Sequence, residues 1–303
     1  MYSNLLVPLD GSALAECVIS HVQALASGSE NVAITFLYVV QPLDAPMVKT
    51  VYKKKIETEA RAAAQSYLKK LCSKAVFKDN SSGKVLTGKP ADIIVEYAAA
   101  NNMDLIVMAT HGRSGPGKWF YGSVAEKVVH SSKVPIWLVK AASCQMSYGH
   151  RKLTVLAPLD GSKVAESVLP HLKELHKQLP DNKLDIVLMR VCEIFSPPIT
   201  YPPPMAMSWD EYLDFEKARC KEICRNYLSE VQKKLSKNRL KTRTEIPEGN
   251  PAEKLISYVN KSPVDLVVMS THGRTGISKW AFGSIAEKVL KGADCPILLI
   301  RAK

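Results

Sequence analysis

The strongest constraint on the fold is that the chain repeats itself. The segment VPLDGSALAE, Val7 to Glu16, recurs as APLDGSKVAE, Ala157 to Glu166, at an offset of 150 residues. GKPADIIVEY and DLIVMATHGRSG recur as GNPAEKLISY and DLVVMSTHGRTG at an offset of 161. We therefore predict two homologous domains, at 1–143 and 152–303, joined by a linker at 144–151. The second copy gains 161 minus 150, or 11 residues, which we place in a Pro-rich insertion at about 196–209.

Within each copy, short apolar runs alternate with longer amphipathic stretches. In the first copy the strand-like runs are NLLVPL, VAITFLYVV, GKVLTG, DLIVMAT and PIWLVK, and the helix-like stretches follow Ser12, span Lys54 to Leu71, and follow Pro90 and Ser123. This alternation predicts an α/β class with a doubly wound, Rossmann-like parallel sheet in each repeat. Such sheets bind ligands beyond the carboxyl ends of their strands.

Charge and cysteine usage narrow the function classes. The net charge of +12 is shared, at +5 through His150 and +7 after it, and no block of five like charges occurs. We therefore expect no nucleic-acid partner, although small anions remain attractive ligands. Seven cysteines without paired spacing favour a reducing compartment, and no signal-peptide or membrane-spanning pattern is visible. The expectation is a cytoplasmic protein without a membrane partner.

Two acidic residues follow the first strand of each copy. Asp10 and Asp160 each precede Gly-Ser, where a carboxylate can accept hydrogen bonds from an adenine amino group or from ribose hydroxyls. Helix capping explains the same residues equally well, since Asp and Ser both favour N-caps. The sequence alone leaves these two interpretations even.

The loop after the fourth strand is a stronger candidate. THGRSGPGKWFYGSVAEKV and THGRTGISKWAFGSIAEKV are Gly-rich loops that lead into a helix, a typical anion site. Gly122 and Gly283 allow close approach of a phosphate, and Ser123 and Ser284 supply hydroxyl groups. The cationic residues of the loops are Arg113, Lys118, Arg274 and Lys279. Solvated loop charges and S-x-x-E capping boxes at the two serines are the competing interpretations.

Three other features carry less weight. His111 and His272 could bind phosphate or transfer protons, but a loop-organising role is favoured, and we assign no catalytic residue and no metal ligand. A partial G-x-x-x-x-G-K match ending at Lys118 is rejected because Trp119 stands where a hydroxyl should hold magnesium. Cys220 and Cys224 lie one helical turn apart on an apolar stripe, which favours core cysteines over a metal site.

These motifs resemble the universal stress protein family in a tandem form. The latter part of that family's nucleotide pattern matches Gly112, nine residues, Gly122 and Ser123, and again Gly273, nine residues, Gly283 and Ser284, while Ala109 and Ser270 replace its first Gly. The resemblance implies an adenine-nucleotide alpha-hydrolase-like fold of five strands in the order 3-2-1-4-5. It also implies an adenine nucleotide ligand, ATP, ADP or AMP, with or without Mg²⁺. The residues it implies are Pro8, Asp10, Val39, Met108, Ala109, His111, Gly112, Arg113, Gly122, Ser123 and Val124 in the first copy, and Pro158, Asp160, Val191, Met269, Ser270, His272, Gly273, Arg274, Gly283, Ser284 and Ile285 in the second.

The resemblance also implies pairing of domains through their last strands, within one chain near Ile136 to Val139 and Ile297 to Ile300, with a homodimer of chains as a further arrangement. Our leading hypothesis is a stress-response or signalling module that binds an adenine nucleotide at one or both domains. The alternatives are an interaction protein of the same fold that binds an unknown protein partner instead of a nucleotide, and a slow ATP hydrolase. Enzymatic activity is not expected.

Overall fold

The computed structural model describes residues 2–28, 31–43, 50–74, 77–110, 122–144, 146, 148, 152–179, 184–193, 208–271 and 283–301. By packing, the chain divides into two compact units. The first comprises Met1–Arg151, Glu174–Lys183 and Asp294–Arg301, and the second comprises Lys152–Lys173, Leu184–Ala293 and Ala302–Lys303. The two units are defined by contacts between residues and not by the sequence repeats. The predicted repeat boundaries, 1–143 and 152–303, therefore stay a prediction. Residues 196–207 of the predicted insertion lie outside the described residues.

The first unit contains a parallel sheet whose order confirms the prediction. Its strands are β1 (Asn4–Leu9), β2 (Ala33–Val40), β3 (Ser81–Thr87), β4 (Leu105–Ala109) and β5 (Ile136–Val139), in the order β3-β2-β1-β4-β5. The middle of β1, Leu5 to Val7, is fully buried because helices cover both faces of the sheet. In contrast, β3 is a polar, mostly exposed edge strand.

The helices of the first repeat lie in the predicted stretches, but the stretch after Ser12 forms two helices, and the next helix begins at Thr50 rather than at the predicted Lys54. They are α1 (Ala13–Glu16), α2 (Ile19–Ser27), α3 (Thr50–Cys72), α4 (Pro90–Ala100) and α5 (Ser123–Ser131). Ser12 caps α1 by accepting a hydrogen bond from the Ala15 amide at 3.1 Å. Pro90 begins α4, where its missing N–H costs no intrahelical hydrogen bond.

The second unit repeats this arrangement with four parallel strands. They are β6 (Leu153–Pro158), β7 (Leu184–Met189), β8 (Thr242–Glu245) and β9 (Leu266–Ser270), in the order β8-β7-β6-β9. The helices of the second repeat are α6 (Val168–Gln178), α7 (Trp209–Ser236), α8 (Pro251–Lys261) and α9 (Ser284–Gly292). A capping box between Ser208 and Glu211 begins α7.

The last strand of the second repeat packs within the first unit. This strand, β10 (Ile297–Ile300), pairs antiparallel with β5, and Leu298 lies opposite Trp137. The Trp137 side chain is fully buried at this pairing. Nearby, the Ser143 hydroxyl donates a hydrogen bond to the Asp294 carbonyl at 3.1 Å. The fifth strand of the second repeat therefore completes the packing of the first unit.

Four cysteines form disulfides that the sequence spacing did not indicate. Cys17 pairs with Cys144 and Cys192 pairs with Cys220, with Cα–Cα distances of 4.5 and 5.9 Å, inside the usual range for a disulfide. Cys224 is buried, as expected for a core cysteine. For Cys220 the core interpretation is replaced by the bond to Cys192, because the two sulfur atoms meet between α7 and the end of β7.

Candidate functional site

A cavity of about 520 Å³ opens at the carboxyl ends of the central strands of the first unit. This is the position where doubly wound sheets bind their ligands, and the volume lies in the usual range for small-molecule sites. The cavity is lined by Pro8, Leu9, Asp10, Ala15, Leu37, Tyr38, Val39, Val40, Gln41, Ala60, Pro90, Ile94, Met108, Ala109, Thr110, Gly122, Ser123, Val124 and Ala125. The fold thus brings the ends of β1, β2 and β4 together with the start of α5.

The Asp10 side of this cavity is built on a tight turn. Gly11 has a φ of +80°, a backbone conformation that L side chains rarely adopt. The turn lets Asp10 Oδ1 accept hydrogen bonds from the Ser12 amide at 3.0 Å and from the Ser12 hydroxyl at 2.7 Å. Ser12 itself caps α1, which confirms the capping interpretation, and the Asp10 carboxylate also lines the cavity.

Tyr67 on α3 contacts residues next to this turn. The Tyr67 hydroxyl donates a hydrogen bond to Glu16 at 2.9 Å, and its ring lies edge-on to Tyr38 with centroids 6.2 Å apart. Burial raises the pKa of Tyr67, and the nearby carboxylates of Glu16 and Asp10 raise it further. The phenol therefore stays protonated and can act as a hydrogen-bond donor at neutral pH.

The opposite side of the cavity is the N-terminus of α5. Gly122 is the N-cap, its amide donates to the Thr110 carbonyl at 2.6 Å, and the Glu126 amide donates to the Gly122 carbonyl at 3.0 Å. The helix begins at Ser123, so this serine occupies the first helical position rather than the cap of a capping box. Helix geometry leaves the first amides of α5 without carbonyl partners in the helix. Together with the exposed Ser123 hydroxyl, they can bind an anion.

The second unit contains a matching cavity of about 260 Å³. Gly161 has a φ of +92°, and Asp160 Oδ1 accepts the Ser162 amide at 2.8 Å. The Gly283 amide donates to the Thr271 carbonyl at 2.8 Å, as its counterpart does in the first cavity. The lining residues are Pro158, Leu159, Asp160, Ala165, Met189, Val191, Glu193, Pro251, Leu255, Met269, Ser270, Thr271, Gly283, Ser284, Ile285 and Ala286.

Sixteen of the residues implied by the family resemblance line these two cavities. In the first they are Pro8, Asp10, Val39, Met108, Ala109, Gly122, Ser123 and Val124, and in the second Pro158, Asp160, Val191, Met269, Ser270, Gly283, Ser284 and Ile285. The remaining six, His111, Gly112, Arg113, His272, Gly273 and Arg274, lie outside the described residues, as do Lys118 and Lys279. The assignment of all of them to ligand binding is a proposal developed below.

From the sequence we did not predict that helices α4 and α8 contribute residues to the two cavities. Pro90 and Ile94 line the first cavity, and Pro251 and Leu255 line the second. Their signal was the repeated GKPAD and GNPAE motif, which served to align the repeats but was not connected to the site. Ala60 on α3 carried no such signal, because only tertiary packing brings it to the cavity.

Neither a metal cluster nor a membrane segment accompanies these cavities in the described part of the chain. Among the described residues, no group of three or more His, Cys, Asp or Glu side chains could hold a metal ion. No helix in the same part of the chain combines the length and the apolar character needed to cross a bilayer.

Comparison with known proteins agrees with the repeat and the fold. The sequence profile of the universal stress protein family matches residues 1–140 and 153–301. The universal stress protein MJ0531 of Methanocaldococcus jannaschii is 31% identical over 147 residues, which are 48% of this chain and 81% of that protein. A universal stress protein of Mycolicibacterium smegmatis is 22% identical over 308 residues, 99% of this chain and 97% of its own. The crystal structure of a universal stress protein from Archaeoglobus fulgidus shares the fold, with a TM-score of 0.68 at 18% identity over 99% of both chains. Since the family profile covers both repeats, the chain belongs to the universal stress protein family, in a tandem two-domain form.

Proposed function

We propose that this chain binds an adenine nucleotide, ATP, ADP or AMP, in the cavities of its repeats, and that occupancy controls a stress-response or signalling role in the cytoplasm. One observation supports this most directly. The Asp10 turn, the end of β2 at Val39 and the start of α5 at Ser123 all line a single cavity of about 520 Å³. These three elements offer a carboxylate, backbone groups and an anion site to one ligand.

The Asp10 side suits the nucleoside. Its carboxylate can accept hydrogen bonds from ribose hydroxyls or from the adenine amino group, and the apolar side chains of Val39, Met108 and Ile94 can contact the flat base. Pockets that bind such ligands are mainly apolar with a few well-placed polar groups. The local hydrogen bonds from Ser12 hold the carboxylate in position before a ligand arrives.

The α5 side suits the phosphates. The first amides of α5 and the Ser123 hydroxyl point to one end of the cavity, where the helix dipole adds partial positive charge. Gly122 places no side chain between this helix start and the phosphate. The basic loop residues Arg113 and Lys118 belong to the same proposal through the sequence alone.

Two measurements test nucleotide binding. Mass spectrometry of small molecules released from the denatured protein identifies a ligand that copurifies, and calorimetric titration with ATP, ADP and AMP, with and without Mg²⁺, measures affinity. We expect Asp10→Asn to weaken nucleotide binding by about 10- to 100-fold, since a hydrogen bond to a charged group contributes about 1.5–3 kcal/mol. Asp79→Asn, which changes an exposed acid away from both cavities, is the matched control. An absence of heat at millimolar nucleotide in the unmodified protein would refute the proposal.

We also propose that the two repeats pair through their last strands within one chain. The antiparallel register of β5 with β10, Leu298 opposite Trp137, supports this. Leu298→Asp places a charge at a fully buried position of that pairing and is expected to unfold the first unit. Sedimentation of the unmodified protein separates this internal pairing from a homodimer of chains.

A further inference from the structure

The two cavities differ in volume, and some of the matched residues that line them differ in size. The second cavity, about 260 Å³, has half the volume of the first, about 520 Å³. Two of the proposed ligand positions carry larger side chains in the second repeat. Ser270 replaces Ala109 at the end of the fourth strand, and Ile285 replaces Val124 in the first turn of the helix that follows. Each replacement adds one non-hydrogen atom where a ligand would lie.

The surroundings of the matched acidic residues, Asp10 and Asp160, also differ between the repeats. Arg190 takes the place of Tyr38, as the strand registers show: Leu9 pairs with Tyr38, and Pro158 pairs with Met189, the residue before Arg190. The guanidinium carbon Cζ and the nitrogens Nη1 and Nη2 each lie 3.1 Å from the point where a Cβ on Gly161 would stand. Arg190 thus packs directly against the turn that follows Asp160.

Packing holds this arginine in place. Its Cζ lies 4.9 Å from the centroid of the Tyr227 ring on α7, within the range of a cation–π contact. In the first repeat the corresponding contact is between two neutral rings, Tyr38 and Tyr67. Arg190 therefore places a cation against the turn that follows Asp160, where the first repeat has the phenol of Tyr38.

A third difference, the exchange of Gln41 for Glu193 at the cavity rim, contributes less. Both side chains are exposed, so water and salt screen the added negative charge. The smaller volume of the second cavity and the placement of Arg190 are therefore the main differences between the two sites. One additional methylene in an apolar pocket changes discrimination between ligands by about 10- to 200-fold, and Ile285 adds one methylene at its position in the second cavity.

We infer that the chain holds one nucleotide, in the first cavity, and that Ser270, Ile285 and Arg190 are specificity-determining residues that exclude a nucleoside phosphate from the second. This inference rests on the proposed function and refines it from one or both sites to one. The tandem chain then carries one site that responds to nucleotide and a second domain of the same fold that does not.

Calorimetric titration of the full chain with ADP tests the stoichiometry. We expect one molecule bound per chain, and an affinity at least 10-fold weaker in Asp10→Asn than in the Asp79→Asn control. Two molecules bound per chain would overturn the inference and leave the proposed function standing. One molecule bound with the same affinity in Asp10→Asn would also overturn it. Absence of any binding would remove the proposed function and, with it, this inference.

Exchange of the matched residues tests which side chains are responsible. The triple variant Ser270→Ala, Ile285→Val and Arg190→Tyr is expected to show a second bound ADP, while the same truncation outside the cavity, Ile256→Val, is not. In the opposite direction, Val124→Ile is expected to weaken ADP binding about 10-fold. If the folded triple variant still binds one ADP, or if Val124→Ile binds as tightly as the unmodified protein, these residues do not set the specificity.

Discussion

A buried histidine makes the stability of this protein dependent on pH. His21, on α2, is fully buried against Trp137 and Tyr148, with ring-centroid distances of 6.1 and 5.1 Å, and its Nδ1 is hydrogen-bonded to the Tyr148 hydroxyl. Burial lowers the pKa of His21 from 6.5 to about 4, although a hydrogen bond with the Ser143 backbone opposes this shift. The imidazole is therefore neutral in the folded protein at neutral pH.

The sign and size of the effect follow from proton linkage. Between pH 6.5 and pH 4 the unfolded chain takes up a proton at His21 that the folded chain does not, so unfolding becomes easier as the pH falls. The stabilisation is complete above pH 6.5 and is lost progressively toward pH 4. A difference of 2.5 pKa units corresponds to about 3 kcal/mol in total, of which about 2 kcal/mol is lost between pH 7 and pH 5.

The assay compares the unmodified protein with His21→Gln, whose amide does not titrate. Urea unfolding at pH 7, 6 and 5 gives the free energy of unfolding of each protein. Other titrating groups are shared, so their effects cancel in the difference between the two proteins. We expect this difference to shift by about 2 kcal/mol in favour of the variant as the pH falls from 7 to 5.

Proton NMR of the unmodified protein gives an independent readout that does not depend on how well the variant folds. The His21 ring resonance is expected to stay unchanged down to about pH 5 in the folded state, as a pKa of about 4 requires. A His21 midpoint near 6.5, or equal pH dependence of unfolding for both proteins, would refute the reasoning.

The remaining predictions concern the turn, the disulfide and a helix cap. Gly11→Ala forces a side chain into a φ of +80° and is expected to cost about 1–2 kcal/mol in urea unfolding, together with weaker nucleotide binding; equal stability would mean that the turn relaxes freely. Cys17→Ser removes a disulfide that closes a separation of 127 residues, so in oxidising buffer it is expected to lose about 2–4 kcal/mol; the same loss in reducing buffer would show that the bond is not the cause. Asn250→Ala removes the side-chain acceptor of the Glu253 amide at 3.2 Å and is expected to lower the free energy of unfolding by about 1 kcal/mol, an effect absent if water replaces the cap.

Local elements of this protein follow closely from local sequence. NLLVPL predicts a strand and forms β1 at Asn4–Leu9, and the apolar run before Thr110 forms β4 at Leu105–Ala109. Where two local signals competed, the structure was needed. The S-x-x-E pattern at Ser123 also suits a capping box, but α5 begins at Ser123 itself. Its N-cap is Gly122, whose amide donates a hydrogen bond to the Thr110 carbonyl.

Contacts between distant segments were not predictable in the same way. Ala60 reaches the first cavity from α3, and Cys17 meets Cys144 across 127 residues. His21 carries no sequence signal that separates a buried histidine from an exposed one. Each of these contacts depends on how helices pack on the sheet, which is a property of the whole chain rather than of a motif.

By itself, the sequence determined the duplication, the α/β class and the residue types of the candidate site, because repeats and apolar periodicity are local patterns. The strand order of the first repeat followed from the family resemblance. Only the tertiary structure decided the antiparallel register of β10 with β5, the half-size second cavity and the packing of Arg190 against the Asp160 turn. These outcomes depend on side-chain volume and on the closure of long chain segments. A one-atom difference between Val124 and Ile285 is trivial in a sequence pattern, but it changes the space available at the wall of a cavity.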